Sequence, residues 1–232
     1  LIVIDNASTD DTAEACLSIR DSRIRYALNR GVPTIAGTLT LGIDIAQGEY
    51  VARIDSDDLA QPERLATQVA FLDENPWTGL VGTWLETFGD RHTTWRYPTG
   101  KDQIRISMLF GNPFGHPSVM FRANWFDGQK GFYDSNFDLA EDFEFWTRIC
   151  EKWDCENIPE SLTRYRIHRG QSTQTLYNER EEQVKRIVMR QFERIGAKPP
   201  PPNPTKKQLN SWWCYFEEWC ELNGLFAGAE FS

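Results

Sequence analysis

Leu1-Ile2-Val3-Ile4-Asp5-Asn6-Ala7-Ser8-Thr9-Asp10 is the stretch whose reading decides the fold. Four apolar residues in a row, without polar alternation, suit a strand buried on both faces, as in a parallel sheet. The Asn/Ser/Thr/Asp cluster that follows reads as a turn and helix N-cap, with a helix running to about Arg20. The alternation then repeats. A strand is expected at 24–28, a helix at 34–46 closed by Gly48, and a strand at 49–54. Pro62 fits the first turn of a helix that puts Leu65, Val69 and Leu72 on one face, and 80–85 reads as another strand. The order β-α-β-α-β-α-β predicts an α/β fold with a mostly parallel sheet, flanking helices and right-handed crossovers.

Beyond about residue 90 the pattern changes. Residues 93–97 read as a short strand and 103–110 as a helix. Two prolines and a glycine make 112–117 a loop. A short strand at 118–121, a helix at 139–150 and a strand at 162–167 follow. The segment 179–195 is amphipathic, with Val184, Val188, Phe192 and Ile195 on one stripe. Five of the twelve prolines fall in 199–204, a stiff polyproline-II-like spacer. A last helix at 206–224 carries Trp212, Trp213, Phe216 and Trp219. The expected division is 1–112, 113–175 and a helical C-terminal extension at 176–232.

Composition narrows the function classes. At 232 residues the chain fits one large domain with an appendage. Lys plus Arg is 25 against 34 Asp plus Glu, a net charge of −9, which argues against a nucleic-acid partner. No stretch approaches the 18 or so apolar residues of a transmembrane helix. Five cysteines without a CxxC pair exclude a dense disulfide framework and a Cys-rich zinc site, and suit a reducing compartment.

The acids fall where chemistry is expected. Asp5 and Asp55 each end a predicted strand, and in open parallel sheets ligands bind at the carboxyl ends of strands. On extended backbone Asp55 and Asp57 project to one side, about 7 Å apart at their α-carbons. Asp55, Asp57 and Asp58 repel one another, and a hard cation such as Mg²⁺ or Mn²⁺ relieves this while binding a ligand diphosphate. The plainer alternative is a helix entry decorated with capping acids.

Two of these segments carry a resemblance. Ile2-Val3-Ile4-Asp5-Asn6-Ala7-Ser8-Thr9-Asp10-Asp11-Thr12 resembles the nucleotide-binding segment of family 2 glycosyltransferases. Gly48-Glu49-Tyr50-Val51-Ala52-Arg53-Ile54-Asp55-Ser56-Asp57-Asp58 is similar to that family's DxD motif and its lead-in strand, and Gln61-Pro62-Glu63-Arg64-Leu65 continues the match. The resemblance covers roughly 1–175. It implies a GT-A fold, a nucleotide-sugar donor (a UDP-sugar first), Mn²⁺ or Mg²⁺, and inversion at the anomeric carbon. Asp5 would bond the nucleobase, with Asn6 and Ser8 beside it at the donor. Asp55 would face the ribose or the metal-bound diphosphate, and Asp57 would touch the metal. Two departures stand out: the family's first strand and helix have no counterpart before Leu1, and Thr40 stands where the family commonly carries Asn.

Glu141-Asp142 is the second constellation. Asp138-x-x-Glu141 has capping-box spacing, and acids in a first turn complement the helix dipole. The resemblance instead implies Asp142 as the base that deprotonates an acceptor hydroxyl, with Glu141 positioning it or touching the acceptor. His168 is either a loop-edge histidine or, by resemblance, a group near the metal or the diphosphate. His116 lies in a loop that borders the acceptor side. Arg53 pairs with the acids or with solvent and is counted with the donor-binding residues; Arg166 and Arg169 are either diphosphate contacts or solvated charge.

The expected partners are a nucleotide-sugar donor and a saccharide or lipid-linked acceptor. The reaction would serve cell-surface polysaccharide or glycoconjugate synthesis in the cytoplasm, with peripheral association at the inner face of the membrane. The C-terminal aromatic stripe is expected to pack on the catalytic domain, with a homo-oligomer face as its second use. The rivals are a non-catalytic nucleotide-sugar-binding module and a nucleotidyltransferase. The second would want a basic Gly-rich phosphate loop that residues 5–12 do not supply.

Overall fold

The computed structural model describes residues 1–31, 34–125, 130–171, 176–201 and 205–223. The chain opens with β1 (Ile2–Asp5), α1 (Thr12–Ser18), β2 (Arg25–Leu28) and α2 (Ile35–Ile45). There follow β3 (Tyr50–Ala52), β4 (Leu59–Ala60), α3 (Arg64–Glu74), β5 (Thr78–Gly89) and β6 (Thr94–Trp95). Then come α4 (Lys101–Ser107), a 3-10 turn (His116–Ser118), β7 (Met120–Arg122), a 3-10 turn (Ser135–Phe137), α5 (Glu141–Lys152) and β8 (Asp154–Ile167). Two helices, α6 (Tyr177–Ile195) and α7 (Lys206–Leu222), complete the chain. The α/β class and the alternation up to β5 are as expected. The spacer at 199–204 is described only through residue 201; the rest of it, and residue 224 of the last helix, lie outside the described residues.

The sheet is mixed rather than mostly parallel. β1 and β2 pair in parallel as a separate two-stranded sheet, while six strands form a second sheet in the order β3-β7-β5-β8-β4, with β6 on β5. β5 and β8 are parallel; β3–β7, β5–β7, β4–β8 and β5–β6 are antiparallel. The cause is β7, which enters between β3 and β5 against both, so the crossover rule for parallel neighbours does not apply there. Sequence reading also saw only the second half of β8. Its first half holds Glu156, Asn157, Pro159 and Glu160, which break the apolar run expected of an interior strand.

β5 is the spine. Its first six residues are buried on both faces, and its later half alternates buried and half-exposed positions. Against it packs an aromatic core that includes Phe121, Trp125, Tyr133, Phe143, Phe145 and Trp146. Tyr133 stacks on Phe145 with centroids 4.4 Å apart. A second cluster of Leu109, Phe192, Trp212, Phe216 and Cys220 seats α7 on α6 and on the chain after α4. The aromatic stripe therefore packs within the chain. α6 stops at Gly196, whose φ of +77° closes the helix in the left-handed conformation that glycine adopts without strain.

Cys150 and Cys155 form a disulfide. It bridges the turn from α5 to β8, with 5.9 Å between Cα atoms, inside the normal disulfide range. The spacing belongs to no recognised cysteine motif, so nothing in it signals the pairing. Cys16, Cys214 and Cys220 are free.

One polar network crosses the core. Arg64, only 1% exposed, donates to the carbonyls of Arg53 (2.6 Å) and Val119 (3.2 Å) and to Gln68 Oε1 (3.0 Å). Gln68, fully buried, donates from Nε2 to the carbonyls of Val81 (3.2 Å) and Ser118 (2.8 Å). Burial pulls the Arg64 guanidinium down to about 10. Gln68→Leu is expected to leave a buried guanidinium and two carbonyls short of partners, costing about 1–3 kcal/mol. Urea denaturation reads this directly, and an unchanged midpoint would show that the network is dispensable.

Candidate functional site

The acidic segment leaves β3 and turns at once. The Asp58 amide donates to the Asp55 carbonyl at 3.3 Å, which closes a turn over 55–58. The extended geometry expected for Asp55 and Asp57 is therefore lost, and the three carboxylates diverge. Asp55 is gripped by the Arg53 guanidinium on both oxygens, one of them at 2.6 Å. Asp57 Oδ2 faces His168 Nε2 at 3.2 Å. Asp58 accepts from the Arg166 amide at 2.8 Å, and burial lifts its carboxyl to about 7. Arg166 Nε also donates to the Asp57 carbonyl at 2.9 Å, so β8 braces the turn.

Among the described residues, no three His, Cys, Asp or Glu side chains gather into a metal cage. Asp57 and His168 do converge, from separate strand ends 111 residues apart. One carboxylate and one imidazole, both about two-fifths exposed, fit an open site completed by phosphate oxygens and water. The donor set thus suits a divalent cation through Asp57 and His168. Asp55 is paired with Arg53 instead of facing Asp57 and His168.

Asp5 ends β1 and is buried. Its carboxylate accepts from the Ser8 amide (2.8 Å) and the Tyr26 hydroxyl (2.6 Å). These bonds favour the charged form and hold its pKa below the ordinary value, with Tyr26 the larger influence; Tyr26 is pushed up to about 12. Asn6 accepts from Asn29 at 3.0 Å. Asp5, Asn6 and Ser8 therefore form one local unit. They stand on the two-stranded sheet, whereas the Asp55–Asp58 turn follows the edge of the six-stranded one.

The third group is buried. Glu141 and Asp142 begin α5, whose N-cap Ala140 receives no side-chain hydrogen bond. The capping-box alternative fails because Asp138 points elsewhere: it accepts from the Ala36 amide at 2.8 Å and so caps α2, beside Thr34. Asp142 Oδ1 accepts from the Phe143 amide and Oδ2 from Asn112 Nδ2, each at 2.7 Å. Burial raises both carboxyls, Glu141 to about 8. The Asp142 charge adds to the rise at Glu141, while the Phe143 and Asn112 bonds restrain Asp142. Burial thus favours a proton on Glu141, while the Phe143 and Asn112 hydrogen bonds favour the anion of Asp142 against the same burial.

His116 lies against this pair, 3.7 Å from Glu141 and 4.0 Å from Asp142, with Nε2 3.3 Å from the Tyr133 hydroxyl. Burial first, and the Arg53 charge second, hold its pKa well below the usual value. His116 is thus neutral, and its contact with Glu141 is not an ion pair. The Arg53 charge also acts on Glu141, Asp142 and Tyr133, which places the acidic turn and the buried pair in one electrostatic neighbourhood.

Sequence reasoning missed Asn112 and Tyr133 and gave Asp138 to the wrong helix. Asn112 opens the Asn-Pro-Phe-Gly-His-Pro loop, where turn propensity masked its role. Thr40, singled out as a departure, accepts from the Tyr133 amide at 3.0 Å and so fastens the 133 segment to α2.

Comparison with known proteins supplies the lineage. Residues 1–128, more than half of the chain, match the family described as Glycosyl transferase family 2. An uncharacterized glycosyltransferase of Haemophilus influenzae is 29% identical over 204 residues, 82% of this chain and 63% of its own. The putative glycosyltransferase EpsE of Bacillus subtilis is 33% identical over 72% of this chain and 62% of its own. The O-antigen biosynthesis glycosyltransferase WbnJ of Escherichia coli is 32% identical over 66% of this chain and 61% of its own. The chain thus spans about three fifths of the length of these relatives. Among solved structures, S. aureus TarS 1-349 in complex with UDP-GlcNAc superposes with a TM-score of 0.64 at 16% identity, covering 99% of this chain and 67% of that one. Mannosyltransferase PcManGT from Pyrobaculum calidifontis, with GDP-Man and Mn2+, gives 0.57 at 18% identity, covering 99% and 66%. These likenesses show a GT-A-like α/β fold. On the match of its first 128 residues, the chain belongs to glycosyl transferase family 2.

Proposed function

We propose that the chain is a metal-dependent, inverting glycosyltransferase that moves a sugar from a nucleoside-diphosphate donor to an acceptor hydroxyl. The observation that carries this reading is the buried Glu141–Asp142 pair, oriented by Asn112 and raised by desolvation. A general base works best when its pKa approaches the operating pH. Asp142 accepts the proton of the acceptor hydroxyl as that oxygen bonds to the anomeric carbon. The bond from that carbon to the diphosphate oxygen breaks on the opposite face, which inverts the centre. Glu141, protonated, supports Asp142 and contacts the acceptor, and His116 and Tyr133 keep water from the pair.

On the donor side Asp5, ionised, accepts from a nucleobase N–H, with Asn6 and Ser8 beside it. Arg53 and Asp55 face the ribose and phosphates. Asp57 and His168 hold Mn²⁺ or Mg²⁺, which when bound stabilises negative charge on the leaving diphosphate. Structural relatives in complex with UDP-GlcNAc and GDP-Man favour a nucleotide sugar, with a UDP-sugar first. Relatives named for O-antigen and amylovoran biosynthesis favour a saccharide or lipid-linked acceptor in surface polysaccharide synthesis. Among the described residues no helix is long and apolar enough to cross a membrane. We place the reaction in the cytoplasm, at the inner membrane face.

Three measurements test this. Thermal shift with UDP and GDP, with and without Mn²⁺, is expected to show metal-dependent stabilisation that Asp57→Ala abolishes; stabilisation retained in that variant removes Asp57 from the site. Asp142→Asn is expected to lower transfer by about 10²–10⁴-fold while the melting temperature and nucleotide binding persist, the usual range for a lost base. Transfer at the native rate in that variant would end the proposed mechanism. Asn112→Ala removes a bond that favours ionised Asp142, so the acid limb of the kcat–pH profile should move to higher pH. A limb that stays in place would show that Asp142 is not the titrating group.

A further inference from the structure

Arg166, in the last turn of β8, touches the acidic turn at two points. Its amide donates to Asp58 Oδ1 at 2.8 Å, and its Nε donates to the Asp57 carbonyl at 2.9 Å. One residue therefore holds both the Asp57 backbone and the side chain that follows it. We propose that Arg166 is a positioning residue for Asp57, fixing it opposite His168, and that it thereby sets the affinity of this pair for a divalent cation; this rests on the metal-dependent reading above.

Three observations converge on this role. First, the guanidinium is itself held. Its carbon lies 4.5 Å from the centroid of the Phe88 ring, and Phe88 is the residue of β5 that pairs with Arg166 across the sheet. A cation over an aromatic face is attracted by the ring's quadrupole. Arg164 lies over the same ring at 4.9 Å, so Phe88 is a platform carried by the spine of the fold.

Second, the Arg166 backbone is clamped. Gln171 Nε2 donates to the Arg166 carbonyl at 2.6 Å, and Gln171 Oε1 accepts from the His168 amide at 3.4 Å. The Asp90 amide donates to the Ile167 carbonyl between them at 2.9 Å. The residue that holds Asp57 and the residue that faces it thus share one fastened turn.

Third, the acids are divided among different holders. Asp55 is paired with Arg53, and Asp58 takes the Arg166 amide, so Asp57 is the acid that faces His168. The rival role for Arg166 is contact with the donor diphosphate. A side-on grip on phosphate would use Nε, which is bonded to the Asp57 carbonyl instead.

Manganese EPR on the intact chain, with no nucleotide present, tests this without turnover. Arg166→Lys keeps the charge and loses the fork that carries Nε–H. It is expected to weaken Mn²⁺ binding by about 10–100-fold, the usual range for losing an outer partner of a metal ligand. Hydrogen exchange over residues 55–58 should quicken by about tenfold in the same variant, because Arg166 braces the turn that holds the Asp58 amide. UDP binding in EDTA should not change. Phe88→Leu, which alters no charge, is expected to give the same pattern in weaker form, and it keeps the test valid if Arg166→Lys disturbs the strand pairing. Native Mn²⁺ affinity and native exchange in both variants would overturn the proposal. Weaker UDP binding in EDTA would also overturn it, by making Arg166 a phosphate contact. A native chain that binds no Mn²⁺ ends the metal reading and this proposal together, whereas native-like Mn²⁺ binding by both variants ends this proposal alone.

Discussion

A guanidinium out of water, met by carbonyls and an amide rather than by a carboxylate in contact, is the constraint on which the catalytic half is built. Arg64 lies at the entrance to α3 and bonds the carbonyl of Arg53 and that of Val119. One of these ends the stretch leading from β3; the other precedes β7. Gln68 adds the carbonyls of β5 and of the His116 turn. Three chain segments that are distant in sequence, around Arg53, Val81 and Ser118–Val119, are thus registered against a single helix turn. Unpaired polar groups at this depth are costly, so alternative packings are excluded. The Arg53 side chain is aimed from this anchored backbone, and its charge reaches Asp55, Glu141, Asp142 and His116.

Around that charge the site divides its acids by environment. Asp5 is ionised because hydrogen bonds favour the anion; Glu141 resists ionisation because water is excluded. One carboxylate suits accepting a hydrogen bond and the other suits sharing a proton. The neutral His116 fits the same logic: a cationic imidazole beside Asp142 would drain its basicity.

Local pattern was readable in the sequence, and tertiary consequence was not. The apolar run of β1, the caps of α2 and the stripe of α6 announce themselves through period and turn chemistry, and each element is present. Antiparallel entry of β7 leaves no mark on periodicity, which is why the sheet reads as parallel from sequence. Residue type and motif single out the acids Asp5, Asp57 and Asp142. Their orientation was misjudged at 55–58, where a turn replaces extended backbone. The partners of Asn112 and Asp138 were invisible because they lie 30 and 102 residues away. The Asp138–Glu141 spacing pointed to a local bond, whereas the carboxylate satisfies a different helix.

That long-range clasp has a mechanical corollary. The carboxylate of Asp138 holds the leading amide of α2, and the Thr40–Tyr133 bond fastens the same helix further along. α2 packs on the small sheet that carries Asp5, with Gly42 close against Ile4. The short connector from Asp138 to Glu141 therefore ties the small sheet to the start of α5. Any tilt of the small sheet is therefore passed on to the start of α5.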